Sequence, residues 1–193
     1  MLLPHPQASS LKITGPFSTV IIMLYSTLLV SALAALSTSV AAAPSPAADF
    51  SFAQWIEDII ADPNGSHLSP AEAVKAKDAA VAAASPLQKR ANCDHDWARA
   101  NANDASACLS DLARKGAAGT QCALQQYQFS AQMCRIGNAQ VVGSKGEAKA
   151  ESVSCSDVAR TGGKIFDSCW RSDNTIMGSE HVKDNFQINI LRL

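Results

Sequence analysis

The chain has 193 residues and a formal net charge of −1, and after residue 90 it carries 11 Lys and Arg against 11 Asp and Glu. So even a balance gives no electrostatic reason to expect a phosphate backbone or an anionic lipid surface as partner, and nucleic acid is excluded as a first expectation. Six cysteines, Cys93, Cys108, Cys122, Cys134, Cys155 and Cys169, all fall after residue 92. An even number confined to one part of a chain describes a disulfide framework, here three bridges, in an oxidising compartment.

Residues 17–43 contain no charged side chain and run from strongly apolar into Ala, Ser and Thr, closing on an Ala-x-Ala pattern before Pro44. The stretch is long enough to span a bilayer. Its small-residue end is what signal peptidase reads, so residues 1–43 are expected to be a signal peptide, with Met23 as a second candidate initiator. No stable membrane anchor is expected in the mature form.

Residues 44–90 change to Ala, Pro and acidic residues. Phe52, Trp55, Ile56, Ile59 and Ile60 recur at helical spacing, and "DPNG" at 62–65 stops that helix. "SPAEA" restarts one, with Ser69 as N-cap, Pro70 at the first helical position and Glu72 at the third, a capping box; the helix is expected to run to about Ala84. The segment has too little apolar surface to fold alone, which suits a pro-region that docks on something else, as folding assistant or inhibitor, against the plainer alternative of a spacer. Asn64-Gly65-Ser66 is a glycosylation sequon. Lys89-Arg90 follows a Pro-containing linker and adjoins the cysteine block, which reads as the cut site of a kexin-type protease of the secretory pathway. Its cleavage would release one mature cysteine-rich domain, residues 91–193.

In that domain a first helix is expected to start at Asn103 or Asp104 as N-cap, with Ala105, Cys108, Leu109, Leu112 and Ala113 on one apolar stripe, and to end at Gly116. "QFSAQMCRI" and "AQVVGS" alternate on either side of Gly137-Asn138, a hairpin pattern, with a weaker strand around 122–127. A second helix begins after Ser154, with Asp157 in its first turn. Cys155, Val158, Ala159, Gly162, Ile165, Phe166, Cys169 and Trp170 share its buried face. Gly162 and Gly163 each cost about 1 kcal/mol there relative to Ala, so a close neighbour is expected at that point. "NTIMG" and "NFQINILRL" read as two strands, the last with Phe186, Ile188 and Ile190 inward. The sum is an α+β, two-layer sandwich: an antiparallel sheet with two helices on one face.

Cys155 and Cys169, 14 residues apart on one helix, would be roughly 21 Å apart at ~1.5 Å per residue, beyond the ~7 Å reach of a bridge. Of 15 pairings, 12 remain. Each of the two is expected to staple the helix to another element, with Cys134 as a partner for one of them.

The pro-region pattern "WIEDIIADPNGSHLSPAEA", the "LQKR" boundary, the "CLSDLARKG" helix and "SCSDVARTGGKIFDSCWRSDNTIMGSEHVKDNFQINI" resemble small secreted cysteine-rich fungal proteins of effector type. The group is similar in architecture to fungal necrosis-inducing effectors and, more distantly, to smut-virus killer toxins of α/β sandwich fold. This chain has fewer cysteines than the killer toxins and carries "DNF" where relatives tend to have a Gly-Asn-Gly turn. The resemblance implies secretion and an interaction with a host or competitor organism, without catalysis.

The residues point the same way. The domain has two histidines, His95 and His181, and no HExxH, GxSxG or phosphate loop. Asp94, His95 and Asp96 are spaced poorly for a closed metal site, so neither metal nor cofactor is expected. A ribonuclease-like alternative would use His95 and His181 as acid and base, with Glu180, Arg99 or Arg171 stabilising the transition state. Trp97 and Trp170 are candidate sugar platforms, although Trp170 fits the core stripe better. A monomeric effector that binds, an antimicrobial or killer-type protein, and a small secreted hydrolase are thus the three expectations, in that order.

Overall fold

The computed structural model describes residues 50–83, 92–93 and 98–193. Two helices precede the cysteine block, α1 (Phe52–Ala61) and α2 (Pro70–Ala83). Ser51 caps α1, and at α2 the Ser69 hydroxyl accepts from Glu72 N at 3.3 Å while the Glu72 carboxylate accepts from Ser69 N at 2.7 Å, the reciprocal pair expected from "SPAE".

The cysteine block follows as β1 (Ala100–Asn101), α3 (Ala102–Ala117), β2 (Gln121–Leu124), β3 (Ser130–Ile136), β4 (Ala139–Ser144), β5 (Glu151–Ser154), α4 (Cys155–Cys169), β6 (Thr175–Ile176), β7 (Gly178–Lys183) and β8 (Phe186–Arg192). Four strands form an antiparallel sheet in the order β3-β4-β8-β7, and two antiparallel ribbons, β1-β6 and β2-β5, flank it. Phe186, Ile188 and Ile190 of β8 and Ala139 and Val141 of β4 are fully buried, and α3 and α4 pack over this side of the sheet. The fold is therefore the expected α+β sandwich with two helices on one face.

Several details differ from expectation. The N-cap of α3 is Asn101, whose side-chain oxygen accepts from Asn103 N and Asp104 N; Asp104 instead accepts from Asn138 N at 2.9 Å and holds the β3-β4 turn against the helix. Gly116 lies inside α3, and the chain turns at Gly119 with φ +87°. A Cβ at Gly116 would lie 1.9 Å from the Ser156 backbone nitrogen, so this glycine serves the approach of α3 to the start of α4. The strand expected at "NTIMG" divides between β6 and β7, and the rest of β7 is the polar run "SEHVK". Among the described residues β7 lies at the edge of the sheet, paired with β8 and bridged at Ser179 by Asn92, and polar residues are normal on such an edge.

Three bridges form: Cys93–Cys169, Cys108–Cys134 and Cys122–Cys155. Cys155 ties the start of α4 to β2 and Cys169 ties its end to Cys93 ahead of β1, and the two do not bond each other, as the helix rise requires. Cys134 joins Cys108 of α3, not α4, because α3 and not α4 lies over β3. The bridges span separations of 76, 26 and 33 residues, worth about 3.5 to 4.5 kcal/mol each from loop closure.

The helical pair α1 and α2 covers the remaining faces of α3 and α4. Phe52, Trp55, Ile56 and Ile59 are buried in the same core as Leu109 and Phe166. The two glycines of α4 make room for different neighbours, Gly162 for α3 and Gly163 for α1. A Cβ at Gly162 would meet the Leu109 side chain of α3, and one at Gly163 would lie 2.9 Å from the Ala53 Cα of α1.

Candidate functional site

The candidate residues named from the sequence do not assemble into one site. His95, Trp97, Asp94, Asp96, Lys89 and Arg90 lie outside the described residues. His181 is exposed on β7, opposite Gln187 across the β7-β8 ladder, whereas its neighbour Glu180 pairs with the buried Ile188 and so belongs to the other face. Arg99 commits its guanidinium to structure: Nε donates to Thr175 Oγ1 at 2.8 Å and Nη2 to the carbonyls of Cys169 and Thr175. Arg171 is exposed, 3.6 Å from Asp173. Trp170 caps the C-terminus of α4 instead of continuing its stripe, and it is half-buried, with no partner for its indole nitrogen among the described residues. Asn64 is exposed on the turn between α1 and α2. Among the described residues no group of three His, Cys, Asp or Glu could hold a metal ion. No helix there is long and apolar enough to cross a membrane.

A cluster that none of the sequence motifs reveals sits in the connection from β2 to β3. Gln125 to Gln128 form a turn closed by Gln128 N donating to Gln125 O at 3.0 Å. Its third residue, Tyr127, has φ 63°, a left-handed conformation normally left to Gly or Asn and costing on the order of 1 to 3 kcal/mol. Tyr127 is 72% exposed and Phe129 52% exposed. Two large rings therefore stand in solvent within three residues, on a backbone held in an unfavourable state.

What holds it is Lys145, at the end of β4. This side chain is buried, 7% exposed, and its ammonium donates to Gln125 O at 2.8 Å and to Lys149 O. Its backbone N donates to Phe129 O at 3.0 Å, and Tyr127 N donates to Ala148 O at 2.7 Å. A buried ammonium must find acceptors, and the carbonyls that satisfy it belong to the aromatic turn and to the loop beneath. That loop is fixed in turn by Asn185, whose Oδ1 accepts from Gly146 N and Glu147 N and whose Nδ2 donates to Glu151 at 3.1 Å. Glu151 also binds Lys183 at 2.7 Å and Lys149 at 3.4 Å. The Lys183 ammonium first, and the Asn185 amide second, hold the Glu151 carboxyl down to about 2. Lys149 is shifted upward, by Glu147 and then Glu151. Asn185 belongs to the "DNF" turn between β7 and β8, so that turn supports this loop.

The fold and this end of the sheet define a small, disulfide-stapled α+β protein with a rigid, aromatic-tipped loop. The family model of DUF8794, a domain of unknown function, matches residues 88–191, more than half of the chain, and the chain belongs to that family. No curated protein and no solved structure matches. The matched region takes in all six cysteines and every element from β1 to β8 but for the last residue of β8, and it leaves α1 and α2 outside.

Proposed function

We propose that the chain is the precursor of a secreted, disulfide-stabilised, effector-like fungal protein that acts by binding a host or competitor target, not by turnover. In this reading residues 1–43 direct export, a kexin-type protease cuts after Arg90, and the cysteine-rich domain does the binding without a second copy of itself. The observation that carries the binding reading is the pair Tyr127 and Phe129, exposed on a turn whose backbone is fixed by the buried Lys145. Exposed aromatics on a rigid loop are the side chains from which contact hot spots are built: large area, few torsions and little ordering cost on binding. The three bridges support an oxidising destination, and the resemblance of "SCSDVARTGGKIFDSCW" to secreted fungal proteins supports the organism class.

The test compares the purified secreted protein with its Tyr127→Ala/Phe129→Ala variant by infiltration into plant tissue and addition to microbial cultures. The expected result is a response whose half-maximal dose rises at least about 30-fold in the variant, from hot-spot losses of roughly 2 kcal/mol or more, with an unchanged melting temperature. An unchanged dose response would remove the loop from the contact. RNA cleavage lost on His95→Ala and His181→Ala would replace binding by turnover.

A further inference from the structure

We propose that α1 and α2 remain bound to the cysteine-rich domain after cleavage, so that the working protein is two chains from one precursor. The partner that the α3-α4 face fits is this chain's own helical segment. The inference rests on the reading that Lys89-Arg90 is cut, and it concerns what holds the pieces once it is.

No covalent link joins them, because all three bridges close between Cys93 and Cys169 and the segment 50–83 has no cysteine. In sequence the cut falls between the end of α2 at Ala83 and the bridge residue Asn92, and the contacts that attach the segment all lie within residues 51–77 of its own side.

Those contacts are specific. Phe52, Ile56 and Ile59 are fully buried, with the Phe52 ring 4.1 Å from that of Phe166. Gly163 gives up helix propensity to bring α4 against the backbone of Ala53. Asp167 of α4 receives the start of α1, accepting from Ser51 Oγ at 2.7 Å, Phe52 N at 2.9 Å and Ala53 N at 3.0 Å, and it pairs with Lys77 of α2 at 2.9 Å. A carboxylate at a helix N-terminus satisfies orphan N–H groups and faces the positive end of the helix dipole. Arg160 pairs with Glu57 at 2.7 Å, and its guanidinium is held further toward the charged form by that partner first. At the other end, Arg114 Nε donates to Pro63 O and Ser106 Oγ to Pro70 O. Losing the segment would uncover the Phe166 ring on which Phe52 packs and leave Asp167 without its donors. A face so shaped to one helix is a subunit interface, not a temporary cover.

The experiment uses the whole chain secreted by a fungal host, and a second form in which residues 85–88 are replaced by the recognition sequence of a specific protease. The natural product is weighed under denaturing conditions, and the second form is cut in vitro. Each is then run on a sizing column without denaturant. Two masses separating at Arg90 in one native peak are the expected result. A lone mass for residues 44–193 from culture would overturn the processing reading, and the engineered cut would then still report on the interface. A native peak holding only the cysteine-rich piece would overturn the two-chain proposal whichever cut produced it. Glu57→Lys, which sets a like charge on Arg160 at a half-exposed position, is expected to raise the dissociation constant of the cut form at least ten-fold. Gly163→Leu should do so more strongly, and no effect from either would remove this face as the site of attachment.

Discussion

Asp167→Ala in the uncut chain puts the α1-α2 layer to its sharpest test. The Asp167 side chain is 23% exposed and that of Lys77 11%, so removing the carboxylate strands a largely desolvated ammonium and frees the Phe52 and Ala53 N–H groups. Breaking one side of such a pair costs about 3 to 5 kcal/mol, because the surviving charge keeps its desolvation penalty without its partner. For a body of this size each kcal/mol moves the melting temperature by about 2 to 4 °C, so thermal denaturation followed by circular dichroism should show a loss of about 6 to 20 °C. A companion variant, Lys77→Met with Asp167→Leu, replaces both charges by apolar groups of similar volume and should recover most of that loss. A single variant melting within about 2 °C of the parent would show that the carboxylate is not a structural hub. A double variant no better than the single would show that the lost helix cap, not the stranded charge, carries the effect.

Two further outcomes follow from the same geometry. Gly116→Ala should destabilise by about 1 to 3 kcal/mol in urea titration although Ala is the better helix former, since the added methyl meets the Ser156 backbone, which has no rotamer by which to yield; a stabilised variant would mean that the α3-α4 seam is looser than described. Glu151 has a folded-state value of about 2, below its ordinary 4.5. Its contribution is therefore present above about pH 4.5 and lost as pH falls toward 2. Glu151→Gln should flatten the fall in melting temperature between pH 5 and pH 2, and equal slopes for the two proteins would refute the assignment.

The helices were legible because their signals are local: the 3.6-residue spacing of Phe52, Trp55, Ile56 and Ile59, the capping box at Ser69, and Ser154 ahead of Cys155. Gly162 and Gly163 announced a close approach without naming the neighbours, which are α3 for one and α1 for the other. Cysteine pairing was legible only where helix rise forbade a bridge, since the choice of Cys108 for Cys134 depends on which helix the sheet brings overhead. The strand β7 escaped because an edge strand can carry Ser, Glu, His and Lys without losing its ladder. The aromatic turn escaped for a different reason. "QQYQF" has no glycine to mark a left-handed residue, and the group that sustains Tyr127 there, Lys145, lies 18 positions away in sequence. Phe129 fits the alternation of "QFSAQMCRI" and Tyr127 the weaker strand expected at 122–127, so both rings read as strand residues, whereas β2 ends at Leu124 and β3 begins at Ser130.

The buried ammonium beneath that turn bears on how an encounter would proceed. Because Lys145 and Asn185 have already fixed the backbone, little conformational freedom is surrendered when the rings are covered. Complex formation would then resemble the docking of two finished surfaces, with its speed governed by diffusion and orientation and its lifetime by how well the opposing pocket grips two rings.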